Sequence, residues 1–219
     1  MPSAEFDPKT RFEKRQLPPA LQRLLEYDVK ATKAFVSFLL NFVAVRSLKT
    51  HCKFLEISCH GIVWLAGWLA FCWMIDDKNL YQMQINMMFG LILDIIFVAL
   101  IKAATRRRRP CVDDFFTIGP DKFSFPSGHT SRAFYLLCFF TWLYPVSWIF
   151  WPPLFAWAFS VAISRLLIYR HHLLDVIAGM LLGCLESVLL CILWLGPRFT
   201  NYIMNSISED HVPGGPEGP

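Results

Sequence analysis

Apolar runs separated by short polar breaks dominate the chain, and several are long enough to cross a bilayer. LEISCHGIVWLAGWLAFCWMI, residues 55–75, is the first of that length, and INMMFGLILDIIFVALIK, 85–102, follows the acidic turn DDKNLYQ. A third run covers Ala133 to Pro145, a fourth helix starts at the Pro152–Pro153 pair, and a fifth covers Leu173 to Leu195. KAFVSFLLNFVAVRSLK, 33–49, has too short an apolar stretch to span, which predicts an interfacial or re-entrant helix, with a sixth span as the alternative. No alternating strand pattern and no internal repeat interrupts this order. The expected fold is all-α: a polytopic membrane bundle of five spanning helices, or six, with its polar groups gathered at one membrane face.

Composition agrees with that pattern. Hydrophobic residues make up 55% and charged residues 17%, with 20 Phe and 8 Trp suited to lipid and its interfaces. A formal charge of +4 is too mild to imply nucleic acid, because the basic residues are clustered rather than spread. Cys59, Cys72, Cys138, Cys184 and Cys191 fall within apolar segments at no zinc spacing, so they read as small buried hydrophobes. Residues 1–33 are polar and basic, with a short helix expected over Pro19–Lys33. They lack the apolar core of a cleavable leader, so insertion is expected to use the first internal hydrophobic segment. HVPGGPEGP at the far end predicts a disordered tail.

Three polar clusters stand at helix ends: KAATRRRRP (102–110), PSGH (126–129) and SRLLIYRHHLLD (164–175). Counting spans brings all three to one membrane surface. If the second span continues as helix, Lys102, Arg106 and Arg109 form one cationic stripe, which Pro110 ends. Ser164, His171 and Asp175 share a helical face, and a carboxylate one turn beyond a His can fix its tautomer. Ser127 and Gly128 open an apolar helix, where free N–H groups and the dipole gather an anion. Together these groups describe a phosphate pocket that needs no bound metal, since cationic side chains can balance a phosphoryl transition state.

K-x6-R-P, PSGH and S-R-x5-H-x3-D stand complete between residues 102 and 175. The chain therefore resembles the type 2 phosphatidic acid phosphatase superfamily, related to vanadium haloperoxidases and glucose-6-phosphatase. FLEISCHGIVWL, RRRRP and DKFSFPSGH look like its polyisoprenoid (presqualene) diphosphate phosphatase branch. The resemblance implies a metal-independent lipid phosphatase without cofactor, in which His171 is the nucleophile and forms a phosphohistidine. Asp175 would orient its ring, and His129 would protonate the leaving oxygen and then activate water. Lys102, Arg109, Ser127, Gly128 and Arg165 would hold the phosphoryl oxygens. It implies isoprenoid phosphates and diphosphates as substrates, in endoplasmic reticulum or nuclear envelope membranes. Glycerolipid or sphingoid phosphates are the alternative substrates, and a catalytically idle scaffold the alternative function. The phosphatase domain would cover 34–200, between an arm at 1–33 and a disordered tail at 201–219.

Other polar residues read differently. Arg106, Arg107, Arg108 and Arg132 are expected at the surface or against lipid, with a second phosphate as the alternative. His172 points away from His171 on a helix, and His60 reads as a satisfied group within a span. Asp94 and Glu186 are charges in membrane helices, expected to make interhelical hydrogen bonds rather than to support the site. Five spans would place the site in the cytosol by the positive-inside rule, and six would place it in the lumen.

Overall fold

The computed structural model describes residues 18–41, 45–110 and 123–209. These residues form a helical bundle: α1 (Pro19–Leu40), α2 (Val45–Ser58), α3 (Gly61–Met74), α4 (Tyr81–Thr105), α5 (Gly128–Cys138), α6 (Trp151–Leu167), α7 (Leu173–Ile192) and α8 (Pro197–Glu209). A π-helical turn, Phe139–Leu143, extends α5, and a 3-10 turn, Trp148–Phe150, leads into α6. Helices α4 and α7, and α6 with its leading turn, are long and apolar enough to cross a membrane.

The first expected span is broken. Helices α2 and α3 pass as a span only as a pair, bent by 49° across Cys59–His60. Side chains replace the hydrogen bonds that the break removes from the helix. The Trp64 indole donates to the Ser58 carbonyl at 2.8 Å, and Arg132 Nη1 donates to the Cys59 carbonyl at 3.1 Å. A break at membrane depth requires such partners, because lipid supplies none.

Helix α5 lies at the centre, with Thr130 through Leu137 buried. With its π turn it is shorter than a lipid-spanning helix, and its neighbours rather than lipid surround it. Glycines let those neighbours close in. A Cβ at Gly183 would lie 2.2 Å from the Ser131 carbonyl oxygen, and one at Gly179 would lie 2.6 Å from that of Ser127. The α5–α7 crossing thus rests on small residues one helical turn apart, a packing familiar in membrane bundles. On α4, Gly90 makes room for the Tyr135 ring.

Between α4, α5 and α7 lies a buried polar cluster. Arg132 Nη2 sits 2.6 Å from Asp94 Oδ2, and Glu186 faces the same group. Asp94 therefore makes an interhelical contact, as expected, but Arg132 is buried, not a surface residue. At the far end of the bundle, exposed Trp73, Trp142, Trp148 and Trp151 mark an aromatic belt.

Both chain ends depart from expectation. Helix α1 is longer than the short helix expected and is docked, burying Asp28, Thr32 and Val36. The segment at 33–49 is divided between α1 and α2, and neither alone passes as a span. Helix α8 occupies 201–209, where a disordered tail was expected, because Thr200 and Met204 give it a face to bury. The expected tail at 210–219 and most of the polar arm lie outside the described residues.

Candidate active site

Helix α4 ends at Thr105 because Arg106 turns left-handed (φ 50°), its N–H still bonded to the Lys102 carbonyl. The expected stripe of Lys102, Arg106 and Arg109 is therefore absent. Four successive guanidinium groups repel in a helix, and Pro110 opposes one at Arg109. The segment instead runs extended, pairing Arg108 with Phe123 in an antiparallel bridge. Alternation then takes over: Arg107 and Arg109 are half-buried, while Arg106 and Arg108 are exposed.

The bridged segment fixes Ser124. Its N–H donates to the Arg107 carbonyl at 2.8 Å, and its hydroxyl donates to the Arg108 carbonyl at 3.1 Å. The Ser124 carbonyl is left facing the loop between α6 and α7, where His171 Nδ1 lies 2.7 Å away. A carbonyl only accepts, so Nδ1 carries the proton and Nε2 keeps its lone pair. Burial pushes the His171 pKa down to about 3, and the positive charges of Arg109 and Lys102 add to this against the opposing pull of Asp175. The ring is neutral at neutral pH, the form a nucleophile requires.

Asp175 was expected to hold this ring directly, but its nearest oxygen is 3.9 Å from His171 Nδ1. Its carboxylate is turned to other partners: the His172 N–H at 2.8 Å, the His172 ring at 3.3 Å and Arg107 Nη1 at 2.7 Å. This is a reciprocal cap on α7, with His172 as its first flanking residue. His172 was expected to play no part. Backbone geometry explains both differences, since His171 and His172 lie before the helix and share no helical face with Asp175.

The N-terminus of α5 docks on the same turn. The Ser127 N–H donates to the Asp175 carbonyl at 2.9 Å, and the Ser127 hydroxyl pairs with that of Thr130 at 2.9 Å. Gly128 packs against Val98 of α4, where a Cβ would come within 3.0 Å. His129 follows, with its Nε2 buried and without a hydrogen-bond partner. Arg165, Arg132, His171 and His60 are its charged or titratable neighbours.

The guanidinium of Arg165, expected at the phosphate, is also held from helix α2. Nη1 lies 3.4 Å from Glu56, Nη2 donates to the Cys52 carbonyl at 3.3 Å, and Nε donates to Ser164 at 3.2 Å. The broken span walls the site as well: Cys59 Sγ donates to the His129 carbonyl at 3.1 Å, and the His60 ring stands 6.1 Å from that of His129. Of the residues expected at the site, His171, His129, Ser127, Gly128, Lys102, Arg109, Asp175 and Arg165 all gather at this end of the bundle. Sequence reasoning missed Ser124, His172 and the α2 residues. Only the Glu56-to-Gly61 stretch carried a signal, as polar residues inside an apolar run.

Residues 84–199, which include all three polar clusters, match the family model described as PAP2 superfamily. The chain belongs to the PAP2 superfamily. Among curated relatives, it is 33% identical to the "Probable lipid phosphate phosphatase beta" of Arabidopsis thaliana. That match covers 46% of this chain and 61% of the relative, so the chain spans about three-fifths of that relative's length. Two solved structures share the fold. One is the "first transmembrane PAP2 type phosphatidylglycerolphosphate phosphatase" from Bacillus subtilis, with TM-score 0.58, 18% identity and 90% of each chain covered. The other is Aquifex aeolicus LpxE, with TM-score 0.54, 20% identity, and 70% of this PAP2 protein and 90% of LpxE covered.

Proposed function

We propose that this PAP2 protein is a membrane lipid phosphatase that works through a phosphohistidine at His171 without a bound metal. The observation that carries the reading is the His171–Ser124 hydrogen bond, which leaves Nε2 unprotonated beside Lys102, Arg109 and the start of α5. Nε2 attacks phosphorus, the bond to the leaving oxygen breaks, and that oxygen takes a proton from His129. Burial and Arg165 hold His129 below its ordinary pKa before substrate binds, and the negative charge of the arriving phosphate brings it to its protonated form. His129 then removes a proton from water as its oxygen attacks phosphorus, and the N–P bond breaks to free phosphate and neutral His171. Lys102, Arg109 and the Gly128 N–H stabilise the charge on the equatorial oxygens.

The substrate reading is isoprenoid diphosphates and monophosphates, in endoplasmic reticulum or nuclear envelope membranes. It rests on the resemblance of 54–65, 106–110 and 121–129 to that branch. An apolar groove of about 510 Å³, lined by Ile96, Ala99, Leu100, Ala103 and Phe123, supports a hydrocarbon-bearing substrate. Phe123 of that lining is the residue that precedes Ser124. Glycerolipid or sphingoid phosphates form the second reading, which the name of the Arabidopsis relative, a lipid phosphate phosphatase, equally fits.

The test is phosphate release by purified protein from farnesyl, presqualene, phosphatidate and sphingoid substrates. Faster turnover of the isoprenoid diphosphates is expected. Preference for phosphatidate or sphingoid phosphate would move the assignment to the second reading, and no release from any of them would overturn phosphatase activity.

A further inference from the structure

Helix α1 lies outside the residues matched to the family, and the stripe it buries is unusual. Of Asp28, Thr32 and Val36, at i, i+4 and i+8, two are polar. A helix that merely packed would bury apolar groups there. The Asp28 side chain is 1% exposed, so its charge requires a partner.

Its partners are the first turn of α7 and the arginine run. Asp28 Oδ1 accepts the Leu174 N–H at 3.0 Å, and Thr32 Oγ1 accepts the Leu173 N–H at 2.9 Å. Two N–H groups that α7 itself cannot satisfy are thus capped by side chains of α1. The second Asp28 oxygen, Oδ2, lies 2.5 Å from Arg107 Nη2, while Arg107 Nη1 lies 2.7 Å from Asp175 Oδ1. One guanidinium therefore bridges a carboxylate of α1 and a carboxylate of the site. Arg107 is neither a lipid contact nor a ligand for a second phosphate.

The geometry points to Asp28 and Arg107 as positioning residues for the attack of His171 on phosphorus, which makes α1 a working part of the enzyme. This inference rests on the phosphohistidine reading. When neutral His171 takes a phosphoryl group on Nε2 and keeps its Nδ1 proton, the ring gains positive charge. Asp28, Arg107 and Asp175 together carry one net negative charge, and Asp175 Oδ2 of that chain is 3.9 Å from His171 Nδ1. Removing the Asp28 charge leaves the chain neutral and frees Arg107 to pull on Asp175 alone. The loss falls on formation of the charged intermediate and not on substrate binding.

The experiment compares full-length Asp28→Asn, Asp28→Glu, Arg107→Lys and Thr32→Val in detergent micelles, with an alkyl phosphate as substrate, whose poor leaving group makes attack by His171 limit turnover. Asp28→Asn is expected to lower kcat about fivefold with KM within about twofold, below the loss found for direct outer partners of metal-bound histidines. Asp28→Glu should recover most of that loss. Thr32→Val removes a cap but no charge, so it should lower thermal stability and leave kcat within about twofold. Unchanged kcat in Asp28→Asn, or a rise in KM alone, would overturn the proposal. If Asp28→Asn does not fold, Arg107→Lys decides, since an ammonium makes a poor bridge between two carboxylates. Wild-type kcat in that variant would reduce α1 to a structural dock. Trapping phosphate on His171 in the wild type tests the underlying reading separately.

Discussion

His171 Nδ1 is hydrogen-bonded to the backbone carbonyl of Ser124 at 2.7 Å, and the Asp175 carboxylate stands farther off at 3.9 Å. A main-chain group, which no substitution removes, therefore fixes the tautomer of the reacting ring. Asp175→Asn should keep Nδ1 protonated and remain measurably active. The expected loss in kcat is about 10- to 100-fold, the order found for outer partners of metal-bound histidines. His171→Ala should retain no turnover. Single-turnover assays of the two variants side by side check this, and complete loss in Asp175→Asn would restore the direct pair.

The two histidines should fail differently. His129→Ala leaves the nucleophile intact, and an aryl phosphate with a good leaving group hardly needs its proton. Attack should proceed, water activation should stall, and product should burst toward about one equivalent per enzyme. Mass spectrometry of the quenched variant should find phosphate on the peptide containing His171. A burst surviving in His171→Ala would show that another residue is the nucleophile.

The buried, neutral His171 also predicts a pH dependence of stability. Its native pKa of about 3 lies below the ordinary 6.5, so the unfolded chain binds more protons between these values. Stability contributed by this group is present above about pH 6.5 and declines as pH falls toward 3. The melting temperature in detergent should therefore fall on acidification across that window. His171→Asn should flatten the slope, and an identical slope would place the titration elsewhere.

Within the bilayer, Arg132 can balance one carboxylate, and it is Asp94 that it touches. Asp94→Asn should leave a buried guanidinium uncompensated and cost about 3–5 kcal/mol. Glu186→Gln keeps the shape of its side chain and leaves the Arg132–Asp94 pair in place, and should cost under about 1 kcal/mol. Thermal unfolding in matched micelles measures both. A larger loss in Glu186→Gln would make Glu186 the principal partner of Arg132.

The sequence by itself determined what can be read from short windows. Apolar runs and polar punctuation announced a helical membrane bundle, and three motifs at helix ends announced a phosphate site in the order the fold brings together. These features are local: a span is recognised by its own length, and a helix N-terminus by its own Ser and Gly. Tertiary structure decided the partners. Arg107 and Arg109 share a face because the run after α4 is extended, where a helical reading had paired Arg109 with Arg106. Ser124 meets His171 through a carbonyl that every residue carries, so no side-chain pattern could mark it. Arg132 looked like a surface cation, yet Asp94, on a distant helix, claims it, and Glu56 reaches the Arg165 guanidinium from another. Asp28 looked like one acid in a basic arm until α1 folded against the first turn of α7. A buried charge is defined by whatever lies within a few ångströms of it, and in this chain those neighbours lie tens of residues away in sequence.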